Sequence, residues 1–229
     1  VAIYSTFLQR AYDMLIQDVA MQKLHVVFAV DRAGLVGEDG ETHQGVFDVN
    51  YLRSVPGMQV LCPSNRAELR VMLRRAVLEM DGPVAVRWPR GGDGAFTEVA
   101  EKPILRAGSD ITMIAYGTMI NNVLEAAALL EQRGVSAEVI KLESVKPVRM
   151  REITASVRKT GRLLVAEDAI CIGCAGKEIL SQLRLCGIRV LCNLGDRFVT
   201  HGKVQELQRL YGLDAESLAK QAQEVLHET

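Results

Sequence analysis

Between Asp31 and Gly45 the chain reads DRAGLVGEDGETHQG, with glycines at 34, 37, 40 and 45 interleaved with Arg32, Glu38, Asp39, Thr42 and His43. Glycines let a backbone approach a ligand closely, while the other side chains offer an acid, a base and a cation within one short segment. An imidazole is the side chain best suited to proton exchange near neutrality, which makes His43 the natural candidate for that role. Asp39, four residues earlier, is placed either to orient the imidazole or to bind a substrate hydroxyl. Arg10 and Arg90 each follow an apolar run, YST and AVRWP. If the two runs are neighbouring strands, both guanidiniums can converge on one phosphate or carboxylate. Tyr4, Phe7 and Tyr12 can stack on a flat heterocycle, or can simply fill core.

The glycine-rich segment also has a plainer reading, a surface connection in which Gly and Asp serve turn geometry. Its length favours function. About fourteen residues is long for a loop in a compact α/β unit, where two to six is usual. A second cluster, Cys171-Ile172-Gly173-Cys174 at the start of AGKEILSQ, is a C-x-x-C entering a helix. It can be a redox pair or half a zinc site, although neither Cys186 nor Cys192 brings a second pair or a nearby His.

Short β-branched runs and amphipathic stretches alternate, and they must position these groups. VAIYST, FLQRAYDMLIQDVAMQ (Leu8, Ala11, Leu15 and Val19 near helical spacing) and HVVFAVD read as strand, helix and strand. MQVLCP, RAELRVMLRRAVLEM and VAVRWP repeat the unit, with Ser64 or Asn65 placed to cap the helix and Asp81-Gly82-Pro83 to end it. Residues 90–109 are glycine-rich and aperiodic, the best candidate for a domain linker. A second series follows: ITMIAYG, NNVLEAAALLEQRG, SAEVIKL, REITASVRKTG, RLLVAED, AGKEILSQLRLCG and IRVLCNLG, with Gly134, Gly161 and Gly187 at helix ends. Two helices, KVQELQRLYG and DAESLAKQAQEVLHE, close the chain. The expectation is two α/β domains built on parallel sheets, in which ligands bind beyond the carboxyl ends of strands.

The 229 residues carry 27 Lys and Arg against 28 Asp and Glu, so a partner held mainly by bulk charge, such as nucleic acid, is not expected. At 48% hydrophobic residues the composition is that of a folded chain, and the scaling of surface with mass gives on the order of 26,000 Å² buried, enough for two cores. No apolar run approaches the ~20 residues of a membrane-spanning helix. Five irregularly spaced cysteines favour reduced thiols and a cytoplasmic setting. The chain starts at Val1, already inside a strand-like run. It is therefore expected to be a piece of something longer, with any targeting segment lying upstream.

YSTFLQRAYD, DRAGLVGEDGETHQG, FDVNYLR and VRWPRG, in this order, closely resemble the 1-deoxy-D-xylulose-5-phosphate synthase family, thiamine-diphosphate enzymes of the transketolase superfamily. The resemblance runs over essentially the whole chain. It implies an incomplete pyrimidine-binding domain over residues 1–104 and a transketolase C-terminal domain over 105–229. It also implies that Tyr4 and Phe7 lie beside the cofactor's aminopyrimidine, that Arg10 and Arg90 serve the substrate phosphate while Arg32 lines the same pocket, and that Asp39 and His43 face the reacting carbons and hydroxyls. The reaction implied joins pyruvate, with loss of CO₂, to glyceraldehyde 3-phosphate in isoprenoid-precursor synthesis. The family is dimeric and uses Mg²⁺. Its catalytic glutamate and its diphosphate-binding and Mg²⁺-binding elements are not found here, so the isolated chain is expected to be inactive. The alternatives are a non-catalytic assembly half that needs a separate N-terminal partner, a transketolase-like C-terminal subunit, and a C-x-x-C redox or metal module. His201, in DRFVTHG, matches a family element and is expected to be structural or interfacial.

Overall fold

A computed structural model describes residues 1–183 and 188–227. In the first half, β1 (Ala2–Tyr4) runs into an irregular helical segment: α1 (Ser5–Leu8), a 3₁₀ turn Gln9–Ala11, α2 (Tyr12–Met14) and a π-helical stretch Leu15–Ala20. The apolar spacing still works through these changes of pitch, since Leu8 and Leu15 are fully buried and Ala11 and Val19 pack beside them. Then come β2 (Val27–Asp31), a 3₁₀ turn Gly37–Asp39, α3 (Asp48–Ser54), β3 (Gln59–Leu61), α4 (Arg66–Leu78) and β4 (Val84–Arg87). Asn65 caps α4 by accepting from the Glu68 N–H at 2.9 Å, and Glu68 accepts in return from the Ser64 N–H.

The second half contains β5 (Ile104–Arg106), β6 (Ile111–Tyr116), α5 (Met119–Gln132), β7 (Ala137–Leu142) and β8 (Ser144–Lys146). It continues through α6 (Met150–Thr160), β9 (Arg162–Ala166), α7 (Ala175–Gln182), β10 (Ile188–Cys192), α8 (Val204–Leu210) and α9 (Ala215–His227). Gly161 ends α6 at φ +70°, a left-handed cap that favours glycine. Gly187 and Cys186 lie outside the described residues. Central strands β6 and β7 are buried along their whole length, and their polar members are satisfied: Thr112 meets the Ser156 and Thr160 hydroxyls, and Lys141 meets Glu68 at 2.9 Å. Among the described residues no helix is long and apolar enough to cross a membrane.

The strand orders are β1-β2-β4-β3-β8 and β10-β9-β6-β7-β5. The two α/β units hold, but their sheets are mixed rather than wholly parallel: β8 pairs antiparallel with β3, and β5 antiparallel with β7. One residue, Glu143, separates β7 from β8, which lie in different sheets. The chain therefore leaves the second sheet and completes the first. β5 arises inside the 90–109 segment, so that stretch is only partly a linker. It is pinned as well, since Asn65 donates to the Phe96 and Glu98 carbonyls and Asn121 accepts from the Phe96 N–H.

One apolar core lies between the units, with Phe28, Val30 and Val60 of the first packed in the same cluster as Ile114, Tyr116, Ile140 and Val165 of the second. Helix α3, in the FDVNYLR segment, staples them together. Asp48 pairs with Arg87 of β4 at 2.9 Å in full burial, and Asn50 donates to the Ile170 carbonyl. Arg53 reaches the Val145 and Gly173 carbonyls and ion-pairs with Glu178. The loop that precedes α3 is thereby fixed relative to both sheets.

Candidate functional site

Strands β1, β2 and β4 are adjacent and parallel, so their carboxyl ends open onto one place. Tyr4 ends β1, the glycine-rich loop leaves β2, and Arg90 follows β4 by three residues. The loop is closed at its base by a two-way bridge, Gly34 N–H to Gly45 carbonyl at 2.7 Å and Gly45 N–H to Gly34 carbonyl at 2.8 Å. A side chain is not tolerated there: a Cβ on Gly45 would lie 2.1 Å from the Arg32 carbonyl oxygen. Thr6 ties down the far end by donating to the Thr42 carbonyl at 2.7 Å.

Arg32 takes φ +56°, a left-handed conformation unusual for a residue with a side chain. Its guanidinium lies over the Tyr4 ring, 4.3 Å from the centroid, and ion-pairs with one Asp39 oxygen. The other Asp39 oxygen receives Arg90 at 2.6 Å. Among the described residues Asp39 meets the two guanidiniums and makes no hydrogen bond to His43. His43 instead meets the Thr42 hydroxyl through Nδ1 at 2.9 Å. The Tyr4 and Phe7 rings stack at 5.6 Å and 16°, and His43 stands edge-on to Phe7 at 5.6 Å. Tyr4, Phe7, Arg32, Asp39, His43 and Arg90 thus form one cluster.

Arg10 is not joined to it. β2 separates β1 from β4, and Arg10 sits exposed on its 3₁₀ turn with no ion pair among the described residues. Tyr12 is also elsewhere, edge-on to Tyr51 and bonded to the Ser54 hydroxyl. A cavity of about 290 Å³ lies away from the cluster, between α4 and β7, but its buried charges Glu68 and Lys141 neutralise each other.

Sequence reasoning missed the residues that join the loop to the second unit. Gln44, on the loop itself, reaches the Thr200 carbonyl, and Asp168 of the second unit lies against Gly34. Burial pushes the Asp168 carboxyl up, against the opposing pull of Arg87. Gly34 lies so close that a Cβ there would stand 1.8 Å from an Asp168 oxygen. The signal was available, since Glu167-Asp168 directly follows the apolar run RLLVA, the position where chemistry is sought in such sheets.

The C-x-x-C pair finds no support in its surroundings. Cys174 caps α7, yet burial and the neighbouring Glu167 push its thiol up to about 12, the opposite of the usual helix N-terminal effect. Glu167 takes the helix N-terminus for itself, accepting from Ala175 and Gly176 N–H and from the Tyr116 hydroxyl at 2.9 to 3.1 Å. Cys171, Cys174, Cys62 and Cys192 are all free. His201 is exposed, beside Gly40 on the segment that packs against the loop.

A flat heterocycle fits the Tyr4 and Phe7 wall, since Phe7 is 45% exposed and its ring is stacked on only one neighbour. Among the described residues no group of three or more His, Cys, Asp or Glu side chains suits a metal ion.

Two family models match the chain: the transketolase pyrimidine-binding domain over residues 1–92 and the transketolase C-terminal domain over residues 100–218. Similar curated proteins include the 1-deoxy-D-xylulose-5-phosphate synthases of Chlorobaculum tepidum, 46% identical over 95% of this chain, and of Heliobacterium modesticaldum, 44% identical over 98%. The chain spans 36% of the length of each. A solved structure described as a split gene transketolase, an inactive β4 tetramer, superposes with a TM-score of 0.85 at 30% identity, covering 98% of this chain and 74% of that one.

Proposed function

The chain belongs to the transketolase family, and from that premise we propose that it is the acceptor-binding part of a thiamine-diphosphate synthase. In this reading the complete enzyme joins pyruvate, with loss of CO₂, to glyceraldehyde 3-phosphate and makes 1-deoxy-D-xylulose 5-phosphate. One observation carries it: two guanidiniums, Arg32 and Arg90, converge on a single anionic group beside an aromatic wall and an imidazole.

Tyr4 and Phe7 would flank the cofactor's aminopyrimidine, and the bound cofactor supplies the nucleophilic carbon that pyruvate requires. Arg32 and Arg90 bind the acceptor phosphate through charge-assisted hydrogen bonds. His43 exchanges a proton with the acceptor's carbonyl oxygen as the new bond forms, and Asp39 meets a substrate hydroxyl once phosphate engages the arginines. The residues that would hold the metal and the cofactor's diphosphate, and the group that would activate the aminopyrimidine, are expected in a part of the assembled enzyme outside these residues. The name of the solved relative, a split gene product that is inactive as a β4 tetramer, supports a closely allied second reading. There the chain is a separately made half, self-associating and silent until it meets an N-terminal partner.

Calorimetric titration of the chain with thiamine diphosphate and Mg²⁺ tests the division of labour. No micromolar binding is expected, and micromolar binding would contradict it. Adding a polypeptide that supplies the upstream portion of a related synthase should restore product from pyruvate and glyceraldehyde 3-phosphate. Turnover of a ketose phosphate donor instead of pyruvate would favour transketolase chemistry.

A further inference from the structure

The residue beside His43 is the most deeply placed polar side chain of the loop, and the chemistry proposed above makes no use of it. Gln44 is 3% exposed. Its Oε1 accepts from the Val36 N–H at 2.9 Å, and its Nε2 donates to the Thr200 carbonyl at 3.0 Å and, more weakly, to the Gly37 carbonyl at 3.4 Å. One side chain thus joins the outgoing strand of the loop to its return, and joins both to a segment more than 150 residues away. That segment lies flat against the loop, for a Cβ on Gly37 would come within 3.0 Å of the Gly202 carbonyl oxygen and 3.1 Å of Val204.

The site needs both an acceptor and donors on one neutral group. A carboxylate in its place would accept from Val36 but would face two carbonyl oxygens with no hydrogen to offer. An apolar residue of the same length would fill the space and leave the Val36 N–H and the Thr200 carbonyl without this partner. Asp39 stands two residues beyond Gly37, and His43 directly precedes Gln44, so the groups that face the acceptor lie on either side of this junction.

We propose that Gln44 is a positioning residue through which the second unit sets the shape of the acceptor loop, holding Asp39, and with it Arg32 and Arg90, in register with His43. The latch closes only when residues 199–204 are docked, so the C-terminal unit acts on acceptor use without touching the acceptor. Part of this inference rests on the functional reading, because the loop's task is taken from it. The geometry of the latch does not.

Two arms of one experiment keep these apart. In the 229-residue chain, amide hydrogen exchange is followed for wild type, Gln44→Glu and Gln44→Met. The Val36 amide should exchange at least tenfold faster in Gln44→Met, which removes its acceptor, while the β6 and β7 amides stay unchanged in both variants. Equal exchange at Val36 would overturn the latch. In the complete enzyme, kcat/KM for the phosphorylated aldehyde should fall about ten- to a hundredfold, the range expected for displaced positioning groups, while the rate of pyruvate capture stays within twofold. Equal losses for aldehyde and pyruvate would show a general structural role and overturn the proposal. A wild-type enzyme with no preference for the phosphorylated aldehyde would sink the functional reading alone, with the exchange arm still deciding on Gln44.

Discussion

Asp39 and Arg90, 51 residues apart in sequence, meet at 2.6 Å, and the second oxygen of the same carboxylate holds Arg32. Two cations from two neighbouring strands thus share one anion at the carboxyl edge of the sheet. Bringing guanidiniums this close without a counter-charge would cost Coulomb energy. The cluster is an anion site with an internal anion in it, and the aromatic and imidazole groups around it give that anion a chemical context.

Glycine at position 45 is the condition for this arrangement, since a Cβ would lie 2.1 Å from the Arg32 carbonyl and 2.9 Å from Ser5 Oγ. Gly45→Ala should break the two-way bridge to Gly34 and cost about 2 to 4 kcal/mol, the range of overpacking against rigid backbone. Urea denaturation checks this, with a midpoint within error of wild type as the contradicting result.

Glu167 makes the buried junction between β6, β9 and the start of α7. Glu167→Ala leaves the Tyr116 hydroxyl and the Ala175 and Gly176 N–H groups without an acceptor. The expected loss is about 3 to 5 kcal/mol, read from chemical denaturation, because buried donors then pay their full desolvation. Glu167→Gln, which keeps an acceptor oxygen, should lose less.

Burial raises three thiols, Cys62 to about 11 and Cys174 and Cys192 to about 12, from an ordinary 9.0. A group whose pKa is higher in the folded state contributes stability that is complete below its unfolded pKa and lost as pH rises through the folded value. Stability should therefore decline from about pH 9 toward pH 12, and Cys174→Ala should flatten part of that decline. At pH 7.5 these three cysteines should resist iodoacetamide in the native chain, as mass spectrometry of digested protein can show.

His43→Asn in the complete enzyme should lower the rate of carbon–carbon bond formation by about 10² to 10⁴, the usual worth of a general acid or base. Single-turnover kinetics with circular dichroism as a folding control is the measurement. A folded variant within about threefold of wild type would remove His43 from the chemistry.

Much of this was legible in the sequence. The alternation of ITMIAY and SAEVIK with amphipathic helices yields β6, β7 and their neighbours, because buried parallel strands are continuously apolar. The glycine loop was visible from its length, and its partner Arg90 from its place after β4. β5 and β8 were not, since ILR and SVK are too short and too mixed in polarity to stand out and owe their pairing to neighbours. Helix α3 was hidden for a related reason. Its Asp48, Asn50 and Arg53 look like surface polar residues, and only the folded chain gives them partners, Arg87 of β4 for Asp48 and groups of the second unit for Asn50 and Arg53. The same holds for Gln44, while spacing along a loop left open whether Asp39 orients His43 or meets a substrate hydroxyl.

The central claim is that this cluster receives the phosphate of an acceptor, and substrate discrimination by Arg90→Ala in the complete enzyme tests it most directly, with Arg10→Ala alongside. Losing a charge-assisted contact to phosphate should cost about 2 to 4 kcal/mol, or about thirty- to several-hundredfold in kcat/KM for glyceraldehyde 3-phosphate. Pyruvate capture and the use of unphosphorylated glyceraldehyde should stay close to wild type. Equal losses for phosphorylated and unphosphorylated aldehydes, or for aldehyde and pyruvate, would contradict the account.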